Sequence, residues 1–272
     1  MISTVIDDIL VVKLGGGEGL DLDASCDDLA AMAHNRPMVV LHGVSALANR
    51  MCEEAGHPVQ TLTSPSGHTS RYTDPITRDI FVRASEIANQ QVVERLRARG
   101  INAVGLTGAE TAIRGTRKDA IRAVVAGRVR VVRDDYSGSI AGVDSQRLCQ
   151  LLQAGFVPVL PPMAQSDDGL LNIDGDRAAA AVASALRADE LIILSNVRGL
   201  YRRFPDESSF VRQVDAHQLE TALEWAQGRM KRKVLGAQEA LNGGVRRVII
   251  SDGRVSQPLQ HALAGEGTVF IR

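Results

Sequence analysis

Ile9-Leu10-Val11-Val12-Lys13-Leu14-Gly15-Gly16-Gly17 is the stretch from which the fold of this chain is read. An apolar strand runs into a cation and then into three residues without side chains. Glycine lets backbone N–H groups approach an oxyanion that a Cβ would hold off, and a neighbouring ammonium adds a charge that stays strong where water is excluded. A phosphate site begins this way, and so does a plain tight connection. The order of residues separates the stretch from both common nucleotide loops. In a Walker A loop the lysine follows the glycines, and Gly15 to Gly19 does not complete G-x-G-x-x-G.

Outward from that strand, short apolar runs alternate with helical patterns almost to the end of the chain. The alternation predicts strands at 9–14, 38–42, 103–106, 157–160, 191–195, 248–251 and 268–271. Helices are expected at about 24–34, 46–55, 75–99, 145–154, 177–187, 217–225, 230–241 and 259–264. Asp74 and Asp176 are N-cap types before two of them, and Gly100, Gly155 and Gly243 stop three. Such a βα succession specifies an α/β domain with a mostly parallel, doubly covered sheet. Residues 120–139 break the rhythm and read as a β-hairpin turning near Gly127. The polar turn Ser166-Asp167-Asp168-Gly169 is the one plausible seam in a single domain 1–272, dividing an N-lobe 1–166 from a C-lobe 167–272.

The 272 residues are 44% hydrophobic and 23% charged, a soluble globular composition with ample material for a core. A net charge of -1 argues against wholesale nucleic-acid or membrane binding. Cys26, Cys52 and Cys149 are odd in number and lack zinc spacing, which fits idle thiols in a reducing cytoplasm. Residues 1–10 have no basic leader pattern, and no run approaches ~18 apolar residues, so neither export nor membrane insertion is expected.

Three further stretches carry chemistry. His42-Gly43-Val44-Ser45 is a second strand end that leads through a glycine into a helix, whose first amides can face the same anion as Gly15 and Gly16. His42 itself reads as a satisfied histidine at a strand end. Asn172-Ile173-Asp174-Gly175-Asp176 clusters two carboxylates and an amide at a helix start, a pattern that simple capping also explains. Gly228-Arg229-Met230-Lys231-Arg232-Lys233 opens another helix with a cation run, ordinarily a solvated face, but Lys233 shares a face with Met230 and can point inward. Two lysines, an acid between them and glycine amides at the edge suffice for phosphoryl transfer, which depends on positioning and positive charge. No Ser-His-Asp set, G-x-S-x-G elbow or H-E-x-x-H appears.

Val12 to Gly16, His42-Gly43, Arg71 in Thr69 to Asp74, Asn172 to Asp176, Leu194 to Leu200 and Met230 to Lys233 occur in the order found in the amino acid kinase family, and the chain resembles that family over essentially its whole length. The resemblance is closest to the N-acetylglutamate kinase branch. Within it, Tyr201 to Ser208, Gly228 to Val234 and Gly265 to Val269 look most like the kinases that phosphorylate 2-aminoadipate, or glutamate, while a small acidic amino-group carrier protein masks the amino group. The resemblance implies a three-layer αβα sandwich with acyl substrate and carrier on the N-lobe and ATP on the C-lobe. It implies direct attack of the side-chain carboxylate on the γ-phosphorus, giving an acyl phosphate in lysine- or arginine-type biosynthesis.

Carried over by position, Lys13 and Lys233 neutralise the transferring group and Asp176 holds them. Gly15, Gly16 and Gly43, with the amide of Val44, face phosphate. Arg71 and Asn172 grip the α-carboxylate and masked nitrogen, and Ser195, Gly199, Tyr201 and Met230 border the nucleotide. Mg2+ is expected on the phosphates without a protein cage, and a homo-oligomer, a dimer, is the expected assembly. Three departures stand out. Val44 replaces a second glycine, and its branched side chain is expected to narrow the phosphate pocket, which raises the alternative of a non-catalytic regulatory relative. Gln90 stands where relatives carry lysine, and Asn196 where N-acetylglutamate kinases carry aspartate.

Between Arg114 and Arg133, the cations Arg114, Arg117, Lys118, Arg122, Arg128, Arg130 and Arg133 face Asp119 alone, a local net +6 in a nearly neutral protein. Such a hairpin suits an acidic protein partner, and Arg114, Arg117, Lys118, Arg128 and Arg130 are the expected carrier contacts. A solvated edge protected by arginines is the alternative. A free N-acetylglutamate substrate would make that alternative the right one.

Overall fold

Alternation along the first strand divides the molecule into layers. The computed structural model describes residues 6–65, 69–125 and 128–272. In it, strand β1 (Leu10–Leu14) turns Leu10, Val12 and Leu14 into one apolar cluster and Val11 into another, as a period of two requires. All five residues are buried, so both faces of the strand are covered, as in a parallel sheet held between helices.

The chain continues through α1 (Leu22–Ala33), β2 (Met38–His42), α2 (Ser45–Glu54), β3 (Thr61–Thr63), β4 (Thr69–Arg71), α3 (Pro75–Ala98), β5 (Ala103–Gly105), β6 (Ile113–Arg117), β7 (Ile121–Val125), β8 (Arg128–Val132) and β9 (Gly138–Val143). It then forms α4 (Ser145–Gln153), β10 (Val157–Leu160), β11 (Met163–Ser166), β12 (Gly169–Asn172), α5 (Gly175–Leu186), β13 (Glu190–Ser195), β14 (Gln213–Asp215), α6 (Leu219–Trp225), α7 (Arg229–Asn242), β15 (Arg247–Asp252), α8 (Pro258–Leu263) and β16 (Thr268–Ile271).

Eight strands make the central sheet in the order β14-β16-β15-β13-β1-β2-β10-β5. Its strands run parallel except that β16 opposes β15 and carries β14 with it. Helices α4 to α7 pack on the Val11 face, and α1, α3 and α8 on the Leu10 face. The result is the three-layer αβα sandwich that the sequence led us to expect. β1 lies between β2 and β13, where the strand order reverses, and a crevice opens at the carboxyl ends of such strands. β1, β2, β5 and β10 fill one half of the sheet and β13 to β16 the other.

Several details differ from the sequence reading. The turn Ser166–Gly169 closes the antiparallel β11–β12 hairpin. β12, β11, β6 and β9 build a second sheet, and β3 pairs with β4. None of these short, half-polar strands has the clean alternation that would reveal it. The expected hairpin is present as β7 and β8, paired from Ile121↔Val132 to Val125↔Arg128, while its expected turn at Gly127 lies outside the described residues. Asp74 caps α3 as expected, but the cap of α5 is Asp174, not Asp176. Gly100 and Gly155 take positive φ after their helices, whereas beyond α7 Gly243 stays at φ -77 and Gly244 takes φ 100.

Candidate active site at the carboxyl ends of the sheet

The correction at α5 explains the centre of the site. The Asp174 carboxylate accepts from the amides of Asp176 and Arg177, each at 3.0 Å, so the helix start is satisfied and Asp176, inside the first turn, is free for other work. Lys13 shares the Val11 face of β1, toward α5 and α7. Its Nζ lies 2.9 Å from Asp176 Oδ1, and Lys233 Nζ lies 2.9 Å from Oδ2. The three residues are only 6, 7 and 8% exposed for Lys13, Asp176 and Lys233. Burial alone would raise the Asp176 carboxyl, but the adjacent Lys13 and Lys233 charges outweigh it and hold the group well below the usual carboxylate range. Burial first, and then Lys13, lowers Lys233 from its ordinary value. Two ammonium groups on one carboxylate leave a net positive cleft that an anion would complete.

The glycine loops meet over this cleft backbone to backbone. A Cβ on Gly16 would sit 2.4 Å from the Gly43 carbonyl carbon, and one on Gly43 2.5 Å from the Gly16 nitrogen, so close approach demands glycine at both positions. A Cβ on Gly15 would lie 3.0 Å from the Leu194 carbonyl oxygen. The Gly43 amide donates to the Leu14 carbonyl at 2.9 Å and is not available to a phosphate, which corrects the role expected of it. Val44 also departs from expectation. Its φ is -135, it needs no glycine, and its side chain is buried with Ala48, Phe81, Ala84 and Met163, while the residue also lines the cavity beside the glycine loop. A valine here therefore needs no strained backbone. Aspartates cap α1, α3, α4 and α5, whereas α2 and α7, whose starts flank the cleft, have no side-chain cap. In each start one amide is already engaged, that of Ala46 by the Gly16 carbonyl at 2.8 Å and that of Met230 by the Gln227 carbonyl at 3.0 Å, so an anion would meet the partial positive charge and the remaining first-turn amides.

Arg71 ends β4 on the far side of α2. Its Nη2 donates to Asn49 and its plane lies over Phe81, 5.6 Å from the ring centroid, while Nη1 is buried without a hydrogen-bond partner. Asn172, at the end of β12, donates to Thr73 Oγ1 at 3.0 Å. Thr73 in turn donates its amide to Asp135, a buried carboxylate that also accepts from Ser137. Asn49, Thr73 and Asp135 position the expected pair and were invisible in the sequence, because each acts across distant segments.

On the other half, Ser195 ends β13 beside Asp252, and its carbonyl accepts from Gly253 at 2.7 Å. Gly199 is required by packing, since a Cβ there would meet Thr268 Oγ1 at 2.4 Å. Tyr201 is buried with its hydroxyl on Glu207, 3.0 Å away, and Met230 packs on the core. The cation run of α7 is divided in function: Lys233 enters the site, and Arg232 joins Asp174 to the Thr69 carbonyl. Gln90 bonds Glu94 on an exposed helix face.

Behind the loops, toward α1 and α3, a cavity of about 360 Å³ is lined by Gly15 to Gly19, His42, Arg50 and Gln91 among others. It lies on the opposite face of the sheet from the lysines, none of which lines it. His42 is held there by Asn89, 3.1 Å from its Nε2, and Asn89 also bonds the Val159 carbonyl. Burial, with Lys13 behind it, pushes the imidazole down to about 4. An unfolded histidine titrates near 6.5, so its contribution to stability is complete above about pH 6.5 and declines by about 3 kcal/mol as the pH falls toward 4. Urea unfolding at pH 7 and pH 4.5 is expected to show that His42→Gln loses less between those pH values than the unmodified chain.

The basic hairpin lies beside β3, and so next to the Arg71 strand. Arg114, Lys118, Arg128 and Arg130 are exposed, as a docking cation requires. Arg117 is not available. It stacks on Tyr136, 4.0 Å from the ring centroid, and donates to the Asp135 and Arg133 carbonyls, so it belongs to the hairpin base. Alternation places Val124, Val129 and Val131 on one face with Arg122, and these valines are 40, 49 and 55% exposed.

Residues 8–252 match the model of the amino acid kinase family. A LysW-aminoadipate kinase of Deinococcus radiodurans is 49% identical over 269 residues, covering 97% of this chain and 92% of that protein. A LysW-aminoadipate kinase of Thermus thermophilus is 44% identical over 267 residues, covering 96% and 99%. Among solved structures, the N-acetylglutamate synthase of Neisseria gonorrhoeae, complexed with coenzyme A and N-acetyl-glutamate, superposes with a TM-score of 0.79 at 24% identity. That likeness covers 98% of this chain, which spans 60% of the synthase, and concerns the fold alone.

Proposed function

This chain belongs to the amino acid kinase family, and from that premise we propose that it uses ATP to phosphorylate the side-chain carboxylate of 2-aminoadipate, or of glutamate, held by its amino group on a small acidic carrier protein. The observation that carries the reading is the buried Lys13–Asp176–Lys233 clamp. A carboxylate is already ionised at neutral pH, so the acceptor needs no general base. One of its oxygens forms a bond to the γ-phosphorus as the bond to the β–γ bridging oxygen breaks, and the products are an acyl phosphate and ADP. Lys13 and Lys233 offset charge on the transferring group and the leaving oxygen. Asp176 positions both and touches neither reactant. The unpartnered Nη1 of Arg71 supports a grip on the substrate's α-carboxylate, with Asn172 beside the masked nitrogen.

ATP lies on the C-terminal half, past Ser195. Magnesium arrives with its phosphates, for Asp176 is engaged by two lysines and no cluster of three or more acids, histidines or cysteines stands ready for a metal among the described residues. We place the reaction in the lysine type of amino-acid synthesis, and both relatives are named LysW-aminoadipate kinases. Among the described residues no helix is long and apolar enough to cross a membrane, and three free thiols suit a reducing cytoplasm.

Exposed Arg128 and Arg130 on one face of the hairpin, with the exposed valines on the other, favour an acidic protein partner over a bare solvated edge. Hydroxylamine trapping with carrier-linked 2-aminoadipate and with free N-acetylglutamate tests the reading. Hydroxamate should form much faster from the carrier-linked acid. Replacing Arg128 and Arg130 together by glutamine should cut that rate about tenfold or more at low salt, with a smaller loss at high salt and an unchanged KM for ATP. Equal use of both acids, with no salt effect, would return the protein to the acetylglutamate kinases.

A further inference from the structure

We propose that Arg229 determines substrate specificity by binding an anionic group on the carrier side of the substrate, at the mouth of the acyl pocket. This inference rests on the carrier-linked reading above. The residue follows Gly228, whose φ of 52 turns the chain into α7. Its side chain crosses the cleft to the first glycine loop, where a Cβ on Gly17 would lie 3.9 Å from its Nη1. Its neighbours have other duties: Met230 packs on the core, Arg232 bonds Asp174 and Thr69, and Lys233 bonds Asp176. Among the described residues no carboxylate pairs with Arg229.

A second guanidinium belongs to the neighbouring strand: Arg71 ends β4, whose Thr69 carbonyl accepts from Arg232 on the same helix start. Burial above all, and then the like charge of Arg229, lowers Arg71 from its ordinary value, and Arg71 Nη1 has no partner. Like charges of this kind repel, and an anion bound between them relieves the repulsion. The lysine pair is different, because Asp176 already sits between its members.

Position identifies which anion Arg229 meets. Lys13 and Lys233 are buried where the phosphoryl group passes, whereas Arg229 is exposed at the rim. A rim cation reads the part of the substrate that leaves the pocket toward solvent. A carrier contributes its own carboxylates beside the masked nitrogen, and an N-acetyl group contributes none.

The test compares kcat/KM for carrier-linked 2-aminoadipate and for free N-acetyl-2-aminoadipate in the unmodified enzyme, Arg229→Ala and Arg229→Lys. Loss of a charge-assisted hydrogen bond predicts that Arg229→Ala lowers kcat/KM for the carrier-linked acid about tenfold or more, mainly through KM, and lowers that for the free acid less than about threefold. The KM for ATP should move less than about twofold, and Arg229→Lys should recover part of the loss. Equal loss on both acids, a raised KM for ATP, or no loss at all would overturn the proposal. An unmodified enzyme that cannot use the carrier-linked acid would instead overturn the reading on which it rests.

Discussion

Replacing either Lys13 or Lys233 by methionine is expected to lower kcat about 10³-fold or more, because each removes a preorganised positive charge from a water-poor site. Methionine keeps most of the buried volume, so the loss is electrostatic rather than a collapse of packing. Both ammonium groups hold the same carboxylate, Lys13 through Oδ1 and Lys233 through Oδ2, at 2.9 Å each. Either deletion therefore also releases Asp176 to turn toward the remaining lysine. The double replacement should cost little more than one single, since residues that act as a unit do not add. Steady-state release of ADP at saturating substrates measures all three variants, and a double loss equal to the product of the singles would mean that the lysines act independently.

Asp176→Asn is expected to remove most activity and to destabilise the fold by about 3–5 kcal/mol, the usual cost of breaking a buried ion pair from one side. An amide has the shape but not the charge, and it leaves Lys13 and Lys233 facing each other with 8 and 10% of their side chains exposed. The pH dependence follows from the sign of the shift. The folded carboxyl titrates below its unfolded value of about 3.9, so its stabilisation is present above that pH and is lost as the pH falls below it. The deficit of the variant, measured by urea unfolding, should be full at pH 7 and shrink below about pH 4. A constant deficit across that range would show that the asparagine merely packs badly.

Most of the central sheet was legible because its inner strands, such as Leu10–Leu14, Met38–His42 and Glu190–Ser195, are buried along their whole length and read as largely apolar runs. β14, at its edge, was missed with the second sheet, since Gln213-Val214-Asp215 and Ile113-Arg-Gly-Thr-Arg117 carry as much polar as apolar character. At the site, strand parity predicts the direction of Lys13, and helical spacing predicts that of Lys233. The role of Asp176 was harder to read. Two aspartates flank Gly175, and only the phase of the first helical turn decides that Asp174 caps while Asp176 clamps. The glycines announced a phosphate loop for a reason only partly right, because Gly16 and Gly43 are needed first to let two backbones touch. Asn49, Arg117 and Arg229 acquire their roles from segments far away in the chain, and no local pattern encodes those meetings.

The central claim is that both lysine tips meet on the group being transferred. A crystal structure with ADP, aluminium fluoride and the carrier-linked acid tests it most directly. The account predicts planar fluoride between ADP and the acyl carboxylate, with Lys13 Nζ and Lys233 Nζ each about 3 Å from it. Fluoride bound elsewhere, or touched by only one of these nitrogens, would contradict it.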